Sequence, residues 1–237
     1  PPPPRPPSPP PVPPPPPPPP PRPPPHTVAT TVRELNRRFS SGRSSNSLAE
    51  AGVLVHMFDN LEDWSAGRGF APCDSGWCKG LEVADHWACS LINSKLTGLF
   101  SSNAGIVLAS HTRIECSYAH DAGSMSWPMG GCSGGHFANC AQGGAYGGCF
   151  WPASHLGSMM EQSGHTYNEV IVSSAYIAAQ LPGIIEAVFY INDRAAAQKA
   201  HQQLREKYGE RVAATPLARF GDGVFTPDAH SECSVCY

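Results

Sequence analysis

The sequence has few charged residues and no long apolar run. Only 15% of its 237 residues are Asp, Glu, Lys or Arg and the net charge is −3, so no excess of one sign favours nucleic acid or an anionic membrane as a partner. No stretch of about 18 apolar residues is present, so no transmembrane helix is predicted. Asn46, Asn93 and Asn168 all fail at the third position of Asn-x-Ser/Thr, so any glycan is expected to be O-linked.

Proline, by contrast, is concentrated at one end of the chain. Residues 1–25 contain 21 prolines, interrupted by Arg5, Ser8, Val12 and Arg22. Proline fixes φ and has no N–H to donate, so helices and β-ladders are excluded, and each residue before a proline favours extended backbone. The segment is therefore predicted to be a polyproline II rod of roughly 80 Å. Since the chain begins at proline, without an initiator methionine or a signal peptide, we expect a mature or partial chain.

Cysteine is abundant for a chain of this length. Seven of the nine cysteines lie between residues 73 and 149, which is typical of a disulfide framework in an oxidising compartment. Zinc is the alternative, because Cys233 and Cys236 have ligand spacing and His230 is close, but a second such pair is absent. The odd count means that one thiol is free or pairs outside this chain segment. The predicted disulfide cysteines are Cys73, Cys78, Cys89, Cys116, Cys132, Cys140, Cys149, Cys233 and Cys236.

Residues 26–237 are expected to form a single α/β domain. The predicted helices cover 26–39, 90–100, 175–181 and 193–210, and the predicted strands cover 52–58, 105–110, 113–119, 168–174, 184–191 and 214–220. Alternating strands and helices in the last third predict crossovers and a mixed or parallel sheet with flanking helices. A Cys-rich insertion is expected at about 60–152, with a disulfide-rich Gly/Cys loop over 121–152.

Two motifs imitate nucleophilic sites without the context that such sites need. Residues 131–135 fit G-x-S-x-G with Ser133 as the nucleophile, but no strand and helix flank them. Residues 142–151 place Cys149 before an aromatic pair, as in cysteine proteases, but the spacing from Gln142 differs. A disulfide role is favoured for Cys149.

Other polar residues could belong to an enzyme or a sugar-binding site. His165 and Glu169 lie four apart at the start of a predicted strand, where they could transfer protons, bind a sugar hydroxyl or simply satisfy buried polar groups. Asp59 and Asn60 follow the first predicted strand, where open α/β sheets bind ligands, although a solvated loop is the alternative. A wall-tethered carbohydrate-active protein would use Asp59, His165 and Glu169, with stacking platforms among Trp64, Trp77, Trp87, Trp127 and Trp151. The ten histidines show no clear metal spacing, so neither a metal nor a cofactor is predicted.

A proline rod with Arg and Ser interruptions, joined to a Cys-rich globular part, resembles the hydroxyproline-rich extracellular glycoproteins of green algae, such as the pherophorins. This resemblance is architectural and covers mainly residues 1–25 and the cysteine usage. The globular part resembles a family of algal and protist domains without an established activity, through residues 34–59, 116–124 and 167–190. That second resemblance spans most of 34–227.

The resemblance implies a secreted structural protein of a cell wall or matrix. In such proteins prolines are hydroxylated and carry short arabinose-rich chains, and some serines carry galactose. We therefore expect a homo-oligomeric fibre subunit rather than an enzyme. The expected modified positions are Pro2, Pro3, Pro4, Pro7, Ser8, Pro10, Pro11, Pro14, Pro15, Pro16, Pro17, Pro18, Pro19, Pro20, Pro21, Pro24 and Pro25.

Overall fold

The computed structural model describes most of the globular part of the chain. The described residues are 28–58, 86–99, 103–119, 150–163, 167–212 and 214–228. The predicted rod and most of the Cys-rich insertion lie outside them. Structural statements below refer to these ranges.

The described strands form one mixed sheet of nine strands in the order β5-β4-β6-β2-β1-β3-β7-β8-β9. Their bounds are β1 Val53–Phe58, β2 His86–Ile92, β3 Ala104–Leu108, β4 Cys116–Tyr118, β5 Phe150–Pro152, β6 Glu169–Ser173, β7 Ile185–Tyr190, β8 Leu217–Gly221 and β9 Val224–Pro227. Only β7 and β8 pair in parallel, and every other neighbouring pair is antiparallel. The predicted α/β class with a mixed sheet is confirmed.

Five α-helices accompany this sheet within the described ranges: α1 Val28–Ser41, α2 Leu48–Ala51, α3 Leu156–Gln162, α4 Ser174–Ile184 and α5 Arg194–Tyr208. Short 3-10 turns cover Ala153–His155 and Gly209–Val212. None of these helices has the length and apolar character that a membrane span needs.

The sheet is buried on both faces because its strands carry apolar residues on both sides. Along β1, Leu54 belongs to one apolar cluster, and Val53 and Val55 belong to the other. The first cluster also contains apolar residues of α3, α4 and α5, including Leu156, Ile177, Leu181, Ala200 and Leu204. The second contains Val32, Leu35 and Phe39 of α1. Strands with two buried faces explain the near-continuous apolar runs of β1, β3 and β7.

Gly105 allows β3 to fit closely between its neighbours. A Cβ atom at this position would lie 2.7 Å from the His56 carbonyl oxygen and 2.8 Å from the Phe189 ring. Because backbone and ring atoms of a packed core cannot move far, a side chain here would force the strands apart.

β7 contains a one-residue bulge at Glu186, where the pairing with β3 shifts by one residue. Val107 pairs with Ala187, but the next residue, Leu108, pairs with Ile185, which leaves Glu186 without an opposite residue. An extra residue of this kind re-aims a side chain. Glu186 makes an ion pair with Arg38 of α1, whose side chain is only 1% exposed. Two guanidinium nitrogens of Arg38, Nε and Nη1, have no hydrogen-bond partner among the described residues.

The prediction of a helix over residues 90–100 is wrong. Residues up to Ile92 belong to β2, where Leu91 and Ile92 lie in opposite apolar clusters. Asn93 then ends the strand, since its Oδ1 accepts hydrogen bonds from the N–H groups of Lys95 and Leu96, both at 2.9 Å. A side chain that binds the backbone two and three residues ahead stabilises a turn in place of a helix.

Candidate functional site

The predicted catalytic residues do not come together within the described part of the chain. Asp59 and His165 lie outside it. Glu169 is the first residue of β6 and is buried, opposite Tyr118 of β4. Burial raises the pKa of the nearby Cys89 thiol, and the charge of Glu169 raises it further. Glu169 is therefore a buried residue of a paired strand.

The residue before Glu169 stabilises the sheet directly. Asn168 is fully buried, and its Oδ1 accepts a hydrogen bond from Leu91 N at 2.9 Å while its Nδ2 donates to Leu91 O at 2.8 Å. This amide therefore pairs with β2 as a neighbouring peptide group does. The geometry favours the structural interpretation of this polar segment over the catalytic one.

The tryptophans differ in what they could contact. Trp87 is only 2% exposed and stacks on His56 with ring centroids 4.4 Å apart, so its prediction as a sugar platform is wrong. Trp151 is half-buried on β5, donates to Gln162 Oε1 at 3.2 Å and stacks on His155. Trp64, Trp77 and Trp127 lie outside the described residues.

Two cysteines fall within the described residues, and their states differ. Cys116 of β4 is disulfide-bonded. Cys89 of β2 is a free, buried thiol, so the prediction that it belongs to the disulfide framework is wrong. Cys89 packs in the apolar cluster that also contains residues of α3, α4 and α5. The other seven cysteines lie outside the described ranges.

A buried carboxylate joins the end of β9 to α5. Asp228 accepts two hydrogen bonds from Arg194, at 2.6 and 2.8 Å, and one from the Tyr190 hydroxyl at 3.1 Å. Burial and the hydrogen bond to Asp228 raise the pKa of Tyr190. A carboxylate engaged in this way stabilises the contact between the segment that follows β9 and α5. Among the described residues, no group of three or more His, Cys, Asp and Glu side chains could hold a metal ion.

A cleft of about 440 Å³ lies where three segments of the chain meet. Volumes of this order are typical of small-ligand sites. The segments are the loop after α1, the turn after β2 and the end of α3. The lining residues are Gly42, Ser44, Asn93, Ser94, Lys95, Leu96, Met160, Glu161 and Ser163.

Local geometry fixes these three segments against one another. Gly42 has φ +52°, and a Cβ there would lie 2.6 Å from the Ser94 hydroxyl, so only glycine permits this approach. Ser94 N donates to Phe39 O at 2.7 Å, which joins the turn to the end of α1. Gly157 N of α3 donates to Asn46 Oδ1 at 2.9 Å. The cleft is thus built into the fold.

The cleft combines an apolar base with exposed charges of opposite sign. Leu96 and Met160 are buried, whereas Lys95 and Glu161 are exposed. Within the described residues, no hydrogen bond or ion pair engages the Lys95 ammonium or the Glu161 carboxylate. The serine hydroxyls add further donors and acceptors. Such a surface suits a ligand that has apolar parts, hydrogen-bonding groups and charge.

Known proteins do not assign an activity to this chain. No family model and no curated protein matches it. Its function must therefore be inferred from its own residues.

Proposed function

We propose that the protein is a structural subunit of an extracellular fibre, wall or matrix. The observation that carries this proposal is the direct junction between the proline segment and the folded domain. Residues 1–25 are followed by only His26 and Thr27 before α1 begins at Val28. A stiff segment joined to a helix through two residues leaves little freedom for independent motion. We therefore expect the domain to hold the proposed rod in a fixed direction.

The helix that carries the rod is firmly attached. Val32, Leu35 and Phe39 of α1 are almost fully buried against the sheet. Asn36 adds two hydrogen bonds to Phe225 of β9, at 2.7 and 2.8 Å. An element held by both apolar burial and hydrogen bonds can transmit the position of the rod to the rest of the domain.

The disulfide at Cys116 supports an oxidising, extracellular location. In that location we expect hydroxylation of the prolines and O-linked arabinose and galactose on the rod. A coat of sugars would hydrate the carbonyl groups that a polyproline helix leaves without internal partners.

The proposal is tested with the full chain, produced by secretion from a host that hydroxylates proline. The matched control replaces residues 1–25 by 25 Gly and Ser residues, which keeps the length and removes the stiffness. We expect added mass on the prolines by mass spectrometry. We also expect concentration-dependent assembly of the natural chain in sedimentation velocity, and a monomeric control. Unmodified prolines together with a monomeric natural chain would falsify the proposal.

A wall-tethered sugar-binding module is the second candidate. The half-buried Trp151 favours it, because Trp151 bonds to Gln162 at the end of α3, next to the cleft residues Glu161 and Ser163. A partly exposed indole beside hydrogen-bonding groups is a surface that suits sugars. Binding of wall oligosaccharides that is lost in Trp151→Ala would support this candidate. Equal binding by both forms, or none, would exclude it.

A further inference from the structure

We propose that the cleft binds the proline rod of a neighbouring copy, at a step where arginine precedes proline. This inference rests on the proposed function, since it gives the contact by which subunits would join. The occupant is residues 1–25, with Arg5-Pro6 and Arg22-Pro23 as the docking steps.

The rod presents an unusual set of groups. Its prolines have carbonyl oxygens to accept hydrogen bonds but no N–H to donate, and its rings are apolar. Positive charge occurs at two places, Arg5 and Arg22. A complementary surface must therefore supply donors, an apolar base and a carboxylate.

The cleft supplies all three. Ser44, Ser94 and Lys95 are exposed donors, which suits a line of carbonyl acceptors. Leu96 and Met160 form an apolar base for proline rings. Glu161 is exposed in the same cleft, and a carboxylate can accept two hydrogen bonds from one arginine.

The proposed modification pattern leaves these steps accessible. Pro6 and Pro23, which follow the two arginines, are not among the prolines expected to carry sugar. The arginine steps are therefore expected to carry no sugar, as is the Val12-Pro13 step, which lacks a charge. The two arginine steps lie 17 residues apart, so two clefts on one rod would be separated by roughly 53 Å at about 3.1 Å per residue.

We place the contact between copies because the length of α1 separates the cleft from Val28, the first described residue after the proline segment. Gly42 follows the end of α1, and the 14 residues of this helix separate it from the rod by about 21 Å. Reaching back would require the chain to reverse immediately before Val28. Arg5 lies 23 residues before Val28, and a proline-rich segment is expected to be too stiff to turn back over that distance, so we infer that it meets the cleft of a second molecule.

Binding is tested with a synthetic peptide of residues 1–25 and the chain whose own rod is replaced by Gly and Ser. We expect saturable binding by isothermal titration calorimetry and at least tenfold weaker binding to Glu161→Gln. Lys95→Met should also weaken binding. The matched controls are Glu115→Gln and Lys199→Met, which alter exposed charges outside the cleft and should bind like the parent. A peptide with Arg5→Gln and Arg22→Gln should bind as weakly as the parent peptide binds Glu161→Gln.

A charge reversal provides a second, independent measurement. Glu161→Arg should abolish binding of the natural peptide. The same variant should bind a peptide with Arg5→Glu and Arg22→Glu.

Equal binding of the natural peptide by the parent and both cleft variants would overturn the inference. If the natural full chain still assembles in that case, the proposed structural role survives and only the cleft is excluded. If the full chain also stays monomeric with unmodified prolines, both proposals fail. Binding of a wall oligosaccharide in place of the peptide would assign the cleft to the second candidate and overturn this inference.

Discussion

Two asparagine side chains replace missing strand neighbours in this sheet. Asn168 pairs with both backbone groups of Leu91, and Asn36 pairs with both backbone groups of Phe225. A primary amide has the same donor and acceptor as a peptide group, so it can satisfy an N–H and a C=O together. Buried backbone groups need such partners, because leaving them unpaired is costly.

The first prediction concerns Asn168. Asn168→Ala removes both hydrogen bonds to Leu91 inside the core, and we expect it to lower the free energy of unfolding by about 2–4 kcal/mol. Asn192→Ala is the control, because Asn192 is exposed, and it should change stability by less than about 0.5 kcal/mol. Urea denaturation of both variants checks this. Equal stabilities would show that the Asn168 amide is dispensable.

The second prediction concerns the pH dependence that Glu186 causes. Burial raises the pKa of Glu186 above its ordinary value of 4.5, and the charge of Arg38 opposes that rise. The folded state then binds this proton more tightly than the unfolded state. The stability contribution of Glu186 is therefore full below the ordinary pKa and falls as pH rises through the folded pKa, by about 1.4 kcal/mol for each unit between them.

Glu186→Gln cannot ionise, so its stability relative to the natural chain should increase as pH rises from below 4.5, the ordinary pKa, through the pKa of the folded state. Arg38→Met removes the opposing charge, which should raise the pKa of Glu186 further and enlarge the total loss of stability as pH rises. Denaturation curves across this pH range measure both effects. A natural chain that gains stability over Glu186→Gln as pH rises would mean that the ion pair outweighs burial.

At the level of elements, β9 is an edge strand that α1 closes. The contact between Asn36 and Phe225 leaves that residue's N–H and C=O unavailable to another chain, which is how natural edges avoid unwanted pairing. Asn36→Ala should therefore cost about 1–2 kcal/mol of stability and increase association through β9. Light scattering measures this association on the chain whose residues 1–25 are replaced by Gly and Ser, so that the rod makes no contribution.

Asn36→Asp separates the two hydrogen bonds. A carboxylate can still accept from Phe225 N–H but cannot donate to its carbonyl. We expect intermediate stability and intermediate association for this variant. An Asn36→Ala protein that is as stable and as monomeric as the parent would show that the edge is closed by something else.

Sequence patterns predicted those elements whose residues have one strong periodicity. The apolar spacing of Val32, Leu35 and Phe39 predicted α1, and the alanine-rich segment predicted α5, which spans Arg194–Tyr208. The prediction of a helix over residues 90–100 was wrong because Leu91, Ile92 and Leu96 also fit helical spacing. Only their burial in two different clusters distinguishes a strand, and that depends on neighbours far away in sequence.

A hairpin was also missed, although its signal was present. β8 and β9 are joined by Asp222 and Gly223, which have positive φ values of 52° and 74°. An Asp-Gly pair between apolar residues is a strong indication of a two-residue hairpin turn. The predicted helix over 175–181 was confirmed but ends later, since α4 continues through Pro182 to Ile184. A proline so near the end of a helix removes little of its hydrogen bonding.

At the scale of the whole molecule, the two described cysteines give a direct test of the fold. Cys89 is 1% exposed, so an alkylating reagent should not modify it in the native protein. After unfolding without reductant, we expect modification of Cys89 but not of Cys116, and reductant should then expose Cys116. Peptide mass spectrometry distinguishes these outcomes. Modification of Cys116 without reductant would contradict its disulfide.

The cleft could not have been predicted from the sequence because no single segment forms it. Ser44, Lys95 and Glu161 come from three regions that only the folded sheet brings together. None has a motif spacing relative to the others. The segment after α1 is rich in serine, which is typical of a turn, but its partners depend on the turn that Asn93 makes and on the position of α3.

In the proposed fibre, the junction between residues 1–25 and α1 would have a mechanical consequence. Tension along the rod would reach α1 first. This helix packs on the sheet but takes no part in the pairing of its strands. Its contacts could therefore break one after another while the strand ladder stays whole. The 14 residues of α1 would extend to roughly 46 Å when unwound. A fibre of such subunits would lengthen under load and recover when α1 returns to its place on the sheet.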